Sequence, residues 1–178
     1  MRIFIAAELP QELIETLSET SALLRGAVSG RYVAPDRFHV TFAFLGETDA
    51  ARVWELSSLL EDACAGSPPI DAHLGALGNF GRRKSATLWQ EIRSDGRLEA
   101  LAEKLRHRLS TSGFPFDGKG FLAHVTLMRS ADLSSGVLPM PHVAGGTIDT
   151  VALFKSDLSG EHPVYTPLSE VVLEGGGG

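Results

Sequence analysis

The triplet His-Val-Thr occurs twice in this chain, as His39-Val40-Thr41 in "FHVTFAFL" and as His124-Val125-Thr126 in "AHVTLM". With six histidines and ten threonines in 178 residues, composition alone supplies roughly a third of one His-x-Thr. Two copies, both centred on valine and both inside apolar runs, go well beyond that. Side chains alternate faces along a strand, so each triplet sets an imidazole and a hydroxyl side by side on one face. Imidazoles titrate near neutral pH. One neutral ring can take a proton from water while a second, protonated ring gives one to a departing oxygen. Hydroxyls beside them can hydrogen-bond oxygens that gain charge in the transition state. Hydrolysis of a phosphodiester asks for this set and needs no metal.

The elements that must carry the two triplets can be read from periodicity. "RIFIAAEL" reads as a first strand, and Pro10 opens a helix in which Leu13, Leu17 and Leu24 share a face up to Gly26. After a Pro35-Asp36 turn, the first His-Val-Thr strand runs through Leu45. Strict alternation puts Phe38, Val40, Phe42 and Phe44 on its apolar face, and His39 and Thr41 opposite. Asp49 caps a second helix with Val53, Leu56, Leu60 and Ala63 inward, and "GSPP" ends it. "IDAHLGALGNF" and "SATLWQEIR" form a hairpin across the basic loop "GRRK". Asp95 caps a third helix with a stripe of Leu98, Leu101, Ala102, Leu105 and Leu109, ending at Gly113. The second His-Val-Thr strand follows, then "GTIDTVALFKSDL" and "HPVYTPLSEVVLE" as last strands. Strands outnumber helices, and each triplet follows a helix. The triplets lie close to half a chain apart. The expected fold is α+β, two pseudo-symmetric lobes of antiparallel sheet with outer helices and a central cleft, forming one domain over residues 1–174. Residues 175–178 are a flexible glycine tail.

Composition narrows the class. A chain that is 43% hydrophobic and 21% charged buries a real core. No apolar run approaches the length of a membrane span, and the opening run is cut by Glu8 and Pro10, so a cytoplasmic protein with no membrane partner is expected. The single cysteine, Cys64, excludes an internal disulfide and a Cys-rich zinc site, and reads as a buried structural thiol. A net charge of −6 argues against gripping long nucleic acid by its phosphates alone. "GALGNFG" is not a dinucleotide-binding glycine pattern, and no Gly-x-Ser-x-Gly elbow is present. His73, His107, His142 and His162 form no metal-ligand spacing. Neither a metal nor a cofactor is expected.

The doubled triplet, the opening "MRIFIAAELP", the run "RYVAPDRFHVTFAFLGE" and the ending "VALFKSDLSGEHPVYTPL" resemble the two-histidine phosphoesterases. Within them the chain is most similar to the RNA 2′,3′-cyclic phosphodiesterases, also called bacterial and archaeal 2′-5′ RNA ligases. The resemblance covers Met1 to about Leu173. It implies a bilobal fold, each lobe giving one His-x-Thr strand to the cleft, and opening of a 2′,3′-cyclic phosphate at an RNA end to a 2′-phosphomonoester, with 2′-5′ ligation as the reverse in some members. Carried over by motif position, His39 is the general acid for the 3′ oxygen and His124 the base that activates water, while Thr41 and Thr126 hold the phosphate. Relatives commonly read Arg-Pro-Phe-x-Pro-His before the second motif. This chain has "KGFLAH", so Lys119 stands for the arginine as a phosphate-binding residue, keeping its charge but not its bidentate fork, and Ala123 for the second proline.

Further binding residues follow. Arg129 ends "HVTLMR" as the family pattern expects, but simple alternation puts it opposite His124, so it reaches a phosphate only through a bulge. Arg82, Arg83 and Lys84 of "GRRK" match a basic loop beside the family's cleft and are candidates for the RNA backbone. Phe80 is a candidate for base stacking, while Phe42 and Trp89 read as core. The expected partner is an RNA with a 2′,3′-cyclic phosphate end, taken by a monomer. Two other readings stay open: the same chemistry on a nucleoside or sugar cyclic phosphate, and a non-catalytic nucleotide- or RNA-end-binding module.

Overall fold

In the computed structural model, which describes residues 1–175, the apolar stripes define three helices and nine strands. Their order is β1 (Arg2–Glu8), α1 (Gln11–Arg25), β2 (Arg31–Tyr32), β3 (His39–Glu47), α2 (Val53–Cys64), β4 (Ile70–Phe80), β5 (Ala86–Arg93), α3 (Arg97–Thr111), β6 (His124–Ala131), β7 (Gly145–Ile148), β8 (Thr150–Asp157) and β9 (Val164–Val172). The strands form two antiparallel sheets, one in the order β3-β1-β8-β9 and the other β2-β6-β5-β4-β7. Each sheet holds one His-Val-Thr strand, β3 in the first and β6 in the second, as expected for two similar lobes.

The lobes are interleaved. The first and last strands share a sheet, and α3, which leaves β5 of one sheet, packs on β3 of the other. The stripe that forms α3, Leu98, Leu101, Ala102, Leu105 and Leu109, is fully withdrawn from solvent. Burying each leucine contributes roughly 1.5–3 kcal/mol. Leu13, Leu17 and Leu24 of α1 and Leu56, Leu60 and Ala63 of α2 do the same. Cys64 closes α2 inside this core, where burial pushes its thiol up to about 11. No helix among the described residues is long and apolar enough to cross a membrane.

The structure differs from the sequence reading at four places. "GTIDTVALFKSDL" is two strands rather than one: β7 pairs with β4, and after Asp149 the chain passes to the other sheet, where β8 lies between β1 and β9. The exchange falls at the single residue Asp149 between the two strands. Asp95 does not cap α3. The chain enters through Gly96 at φ 91°, which turns Ser94 toward the first turn, and its Oγ accepts the Leu98 N–H at 3.2 Å. Asp95 instead faces Arg97 at 3.2 Å. Asp49, by contrast, does cap its turn, accepting the Ala51 N–H at 2.9 Å. Thirdly, Phe44 does not join the apolar face of β3. Finally, Trp89 is not closed in the core like Phe42; it is half-buried behind the second triplet. Of the expected glycine tail, Gly175 donates its N–H to the Ser67 carbonyl at 3.0 Å, and positions 176–178 lie outside the described residues.

The displacement of Phe44 has a backbone cause. In the β1–β3 ladder Thr41 pairs with Ala6 and Ala43 with Ile5, leaving Phe42 as an extra residue. In the β5–β6 ladder Thr126 pairs with Trp89 and Met128 with Leu88, leaving Leu127 extra. Both bulges fall three residues after the histidine. Each makes two successive side chains point into the core, Phe42 with Ala43 and Leu127 with Met128, and swings the next residue back to the histidine face. That residue is Phe44 on β3 and Arg129 on β6.

Candidate active site

A cleft of about 590 Å³ opens where β3 and β6 approach each other. His39, Thr41 and Phe44 line one wall and His124, Thr126 and Arg129 the other. The bulge thus supplies the shift that Arg129 requires. Lys119 and Phe80 also line the cleft, as do Thr87, Arg106, Asp117 and Phe121.

Both imidazoles are held in the same way. Nδ1 of His39 lies 2.7 Å from the Arg37 carbonyl, and Nδ1 of His124 lies 2.6 Å from the Leu122 carbonyl, each two residues upstream. A carbonyl oxygen only accepts, so Nδ1 carries the proton in both rings, and in the neutral ring Nε2 holds the lone pair. On His39, Nε2 accepts from the Thr41 hydroxyl at 2.9 Å. Among the described residues His124 Nε2 has no hydrogen-bond partner.

Aromatic rings fix both planes. His39 packs against Phe4 with ring centres 5.1 Å apart and takes Tyr165 edge-on at 5.4 Å. His124 packs against Trp89 at 5.6 Å and takes Phe80 edge-on at 5.3 Å. Phe80 is therefore part of the support of His124. Phe4 and Tyr165 escaped the sequence reading because they come from opposite ends of the chain and meet only through the β1–β8–β9 pairing.

Burial and charge tune the pair. His39 is pulled down to about 4, chiefly by burial; the positive charges of Arg129 and of a protonated His124 add to this, and the Arg37 carbonyl opposes it. His124 is lowered too, again mainly by burial and then by Arg129, with the Leu122 carbonyl opposing. Both rings are thus neutral in the free cleft at pH 7.

Gly78 sets the back of the second wall. A β-carbon there would overlap the indole ring of Trp89, which is pressed against His124. Gly78→Ala is expected to cost about 1–3 kcal/mol by overpacking and to lower activity more than its melting temperature alone explains, because the displaced indole tilts His124. A variant with a lowered melting temperature but unaltered kcat would refute that link.

The remaining basic residues are placed differently. Arg106, on α3, donates through Nε to the Phe42 carbonyl at 2.8 Å and through Nη1 to the Lys119 carbonyl at 2.7 Å. The Asp117 N–H reaches the Phe44 carbonyl at 2.9 Å. These bonds close the open edge of β3 with the 114–121 segment. Arg83 donates to the Leu133 carbonyl at 2.8 Å, and neither it nor Arg82 nor Lys84 lines the cleft. Among the described residues no group of three His, Cys, Asp or Glu side chains is arranged to hold a metal ion.

Comparison with known proteins identifies the family and the fold. The model of the 2′-5′ RNA ligase superfamily matches residues 10–136. The chain is 30% identical to an RNA 2′,3′-cyclic phosphodiesterase of Thermotoga maritima over 99% of this chain and 97% of that one. It is 31% identical to one of Escherichia coli, over 97% and 96%. Among solved structures it is similar to E. coli LigT complexed with 3′-AMP, with a TM-score of 0.82 and 30% identity covering 97% of both chains. It is also similar to TT0787 of Thermus thermophilus, with a TM-score of 0.81 and 27% identity covering 98% of this chain and 99% of that one. With two bulged His-Val-Thr strands facing one cleft and a family match over most of its length, the chain belongs to the 2′-5′ RNA ligase superfamily.

Proposed function

We propose that this protein hydrolyses the 2′,3′-cyclic phosphate at an RNA end to a 2′-phosphomonoester, without a metal, using His39 and His124 as its acid–base pair. The observation that carries the reading is the matched pair of imidazoles, each with Nδ1–H tied to its own upstream carbonyl, so that Nε2 of His124 is open to the cleft and Nε2 of His39 is met by the Thr41 hydroxyl. Binding alone does not require two proton-transfer groups. The curated relatives named RNA 2′,3′-cyclic phosphodiesterase support the substrate.

In the step itself, a water oxygen bonds to phosphorus as the bond to O3′ breaks. The water proton passes to His124 Nε2, and the Nε2 proton of His39 passes to O3′. Thr41 and Thr126 donate to the non-bridging oxygens, and Arg129 offsets the charge that builds on them. Once His39 is protonated, Nε2 is no longer an acceptor, so the Thr41 hydroxyl is released toward the phosphate. The burial that holds His39 near 4 also makes it the more willing donor, and the negative charge of the bound phosphodiester loads it with its proton. With an RNA 5′-hydroxyl in place of the water, the same transfers form a 2′-5′ linkage as the bond to O3′ breaks.

The test is turnover, with EDTA present, of an oligonucleotide ending in a 2′,3′-cyclic phosphate and of a nucleoside 2′,3′-cyclic monophosphate. A 2′-phosphate product supports the reading. Binding without turnover sinks it in favour of a binding module. The pH profile of kcat/KM adds a sign. The base must be neutral, so the rate falls as pH drops through its pKa; the acid must be protonated, so it falls as pH rises through its own. Both are lowered in the free cleft, so the bell should peak on the acid side of 6.5. The bound anion raises both, and kcat should peak at higher pH. A maximum of kcat/KM well above neutrality contradicts the assignment.

A further inference from the structure

The positive charges of the cleft fall into two groups. Arg129 stands on β6 at the end of the His124–Thr126 face, and its charge is felt by both imidazoles. Arg106 and Lys119 lie elsewhere, off the free edge of β3. Arg106 is anchored on the Phe42 carbonyl and Lys119 sits in the segment that Arg106 and Phe44 hold. Phe42 and Phe44 are three and five residues past His39, which along a strand is roughly 10–16 Å. The long Arg106 and Lys119 side chains line the same cleft as the two histidines, so a nucleic-acid end seated on the triplets can run toward them.

Neither cation forms an ion pair among the described residues, although the Asp117 carboxylate acts on Arg106 through its charge. The side chain of Lys119 is exposed and has no hydrogen bond or ion pair among the described residues. The Arg106 guanidinium uses Nε and Nη1 on carbonyls, which leaves the Nη2 end of its fork without a protein partner among the described residues. Asp117 lies beside them, but its Oδ1 accepts the Lys119 backbone N–H at 3.0 Å and it forms no ion pair with either side chain. The same cleft is lined by Phe44 and Phe121, apolar rings that can border a ribose and base.

We infer that Arg106 and Lys119 form a second phosphate site, which holds the phosphodiester on the 5′ side of the terminal nucleoside while Arg129 and the threonines hold the cyclic phosphate. This rests on the hydrolase reading above and deepens it. The chain is built to act on an oligonucleotide end rather than on a free nucleoside cyclic phosphate. The exposed Arg82 and Lys84 are not needed for that preference.

The test compares two dinucleotides ending in a 2′,3′-cyclic phosphate, identical except that the internucleotide link is a natural phosphodiester in one and an uncharged methylphosphonate in the other. Wild type is expected to favour the charged link in kcat/KM by roughly tenfold to a hundredfold, the size of a charge-assisted contact. Lys119→Gln, which spares every backbone bond in the segment, should compress that ratio severalfold, and Arg106→Gln should bring it close to one. Melting temperatures monitor the segment. Equal wild-type rates on the two links overturn the second site while leaving the hydrolase reading intact. Variants that lose rate on both links alike, with the ratio unchanged, overturn it too, since Arg106 and Lys119 then only hold the loop. No turnover of either dinucleotide sinks the hydrolase reading, and this inference with it.

Discussion

His39→Gln and His124→Gln should each lower kcat on a 2′,3′-cyclic phosphate by roughly 10²- to 10⁴-fold, the usual contribution of a positioned acid or base. The double variant should lose little more than the worse single, because the two transfers belong to one step and residues acting as a unit are not additive. Glutamine keeps a donor for the carbonyls of Arg37 and Leu122 that now anchor the rings, so melting temperatures should move far less than rates. The residual activity also tells the two apart. His124→Gln removes the base, so its profile loses the limb that rises with pH; His39→Gln removes the acid and loses the limb that falls. The opposite pattern means that the rings exchange roles while the pair stands. A loss below tenfold in either variant, with the protein folded, leaves no place for a two-histidine mechanism.

The parts of this site that were legible in the sequence are those fixed by local periodicity. His39 with Thr41 and His124 with Thr126 share faces because strands alternate, and the leucine stripes of α1, α2 and α3 bury as their spacing requires. What was not legible depends on partners distant in the chain. The bulges at Phe42 and Leu127 leave no mark in composition, since an extra apolar residue in an apolar strand looks like any other, yet they decide that Phe44 and Arg129 face the cleft. Arg106 reads as one more charge on the solvent side of a helix. Its role exists only because α3 crosses to the other lobe and meets the open edge of β3. "GRRK" gave a clear local signal of a basic loop, but where that loop points is set by the β4–β5 hairpin and by the bond from Arg83 to Leu133.

Arg129 gives the second large effect, and the more diagnostic one. Pseudo-symmetry puts Phe44 at the matching position of the other lobe, so the two histidine faces carry one cation between them where a symmetric pair carries two or none, and the cyclic phosphate must lie nearer the second wall. Removing that cation by Arg129→Gln should cost roughly 10²- to 10³-fold in kcat, as loss of one preorganised charge-stabilising donor does. The same change relieves both imidazoles of a positive neighbour that now holds their pKa values down, so the bell in kcat/KM should move to higher pH as it shrinks. Arg129→Lys keeps the charge and loses the planar fork, so it should retain the wild-type pH optimum at an intermediate rate. Arg129 sits exposed at the end of β6, where its backbone pairs with Arg31 of β2. A merely structural role there would lower stability and leave the pH optimum of all three proteins in one place. Coincident optima would therefore remove Arg129 from the electrostatics of the site, whatever happened to the rate.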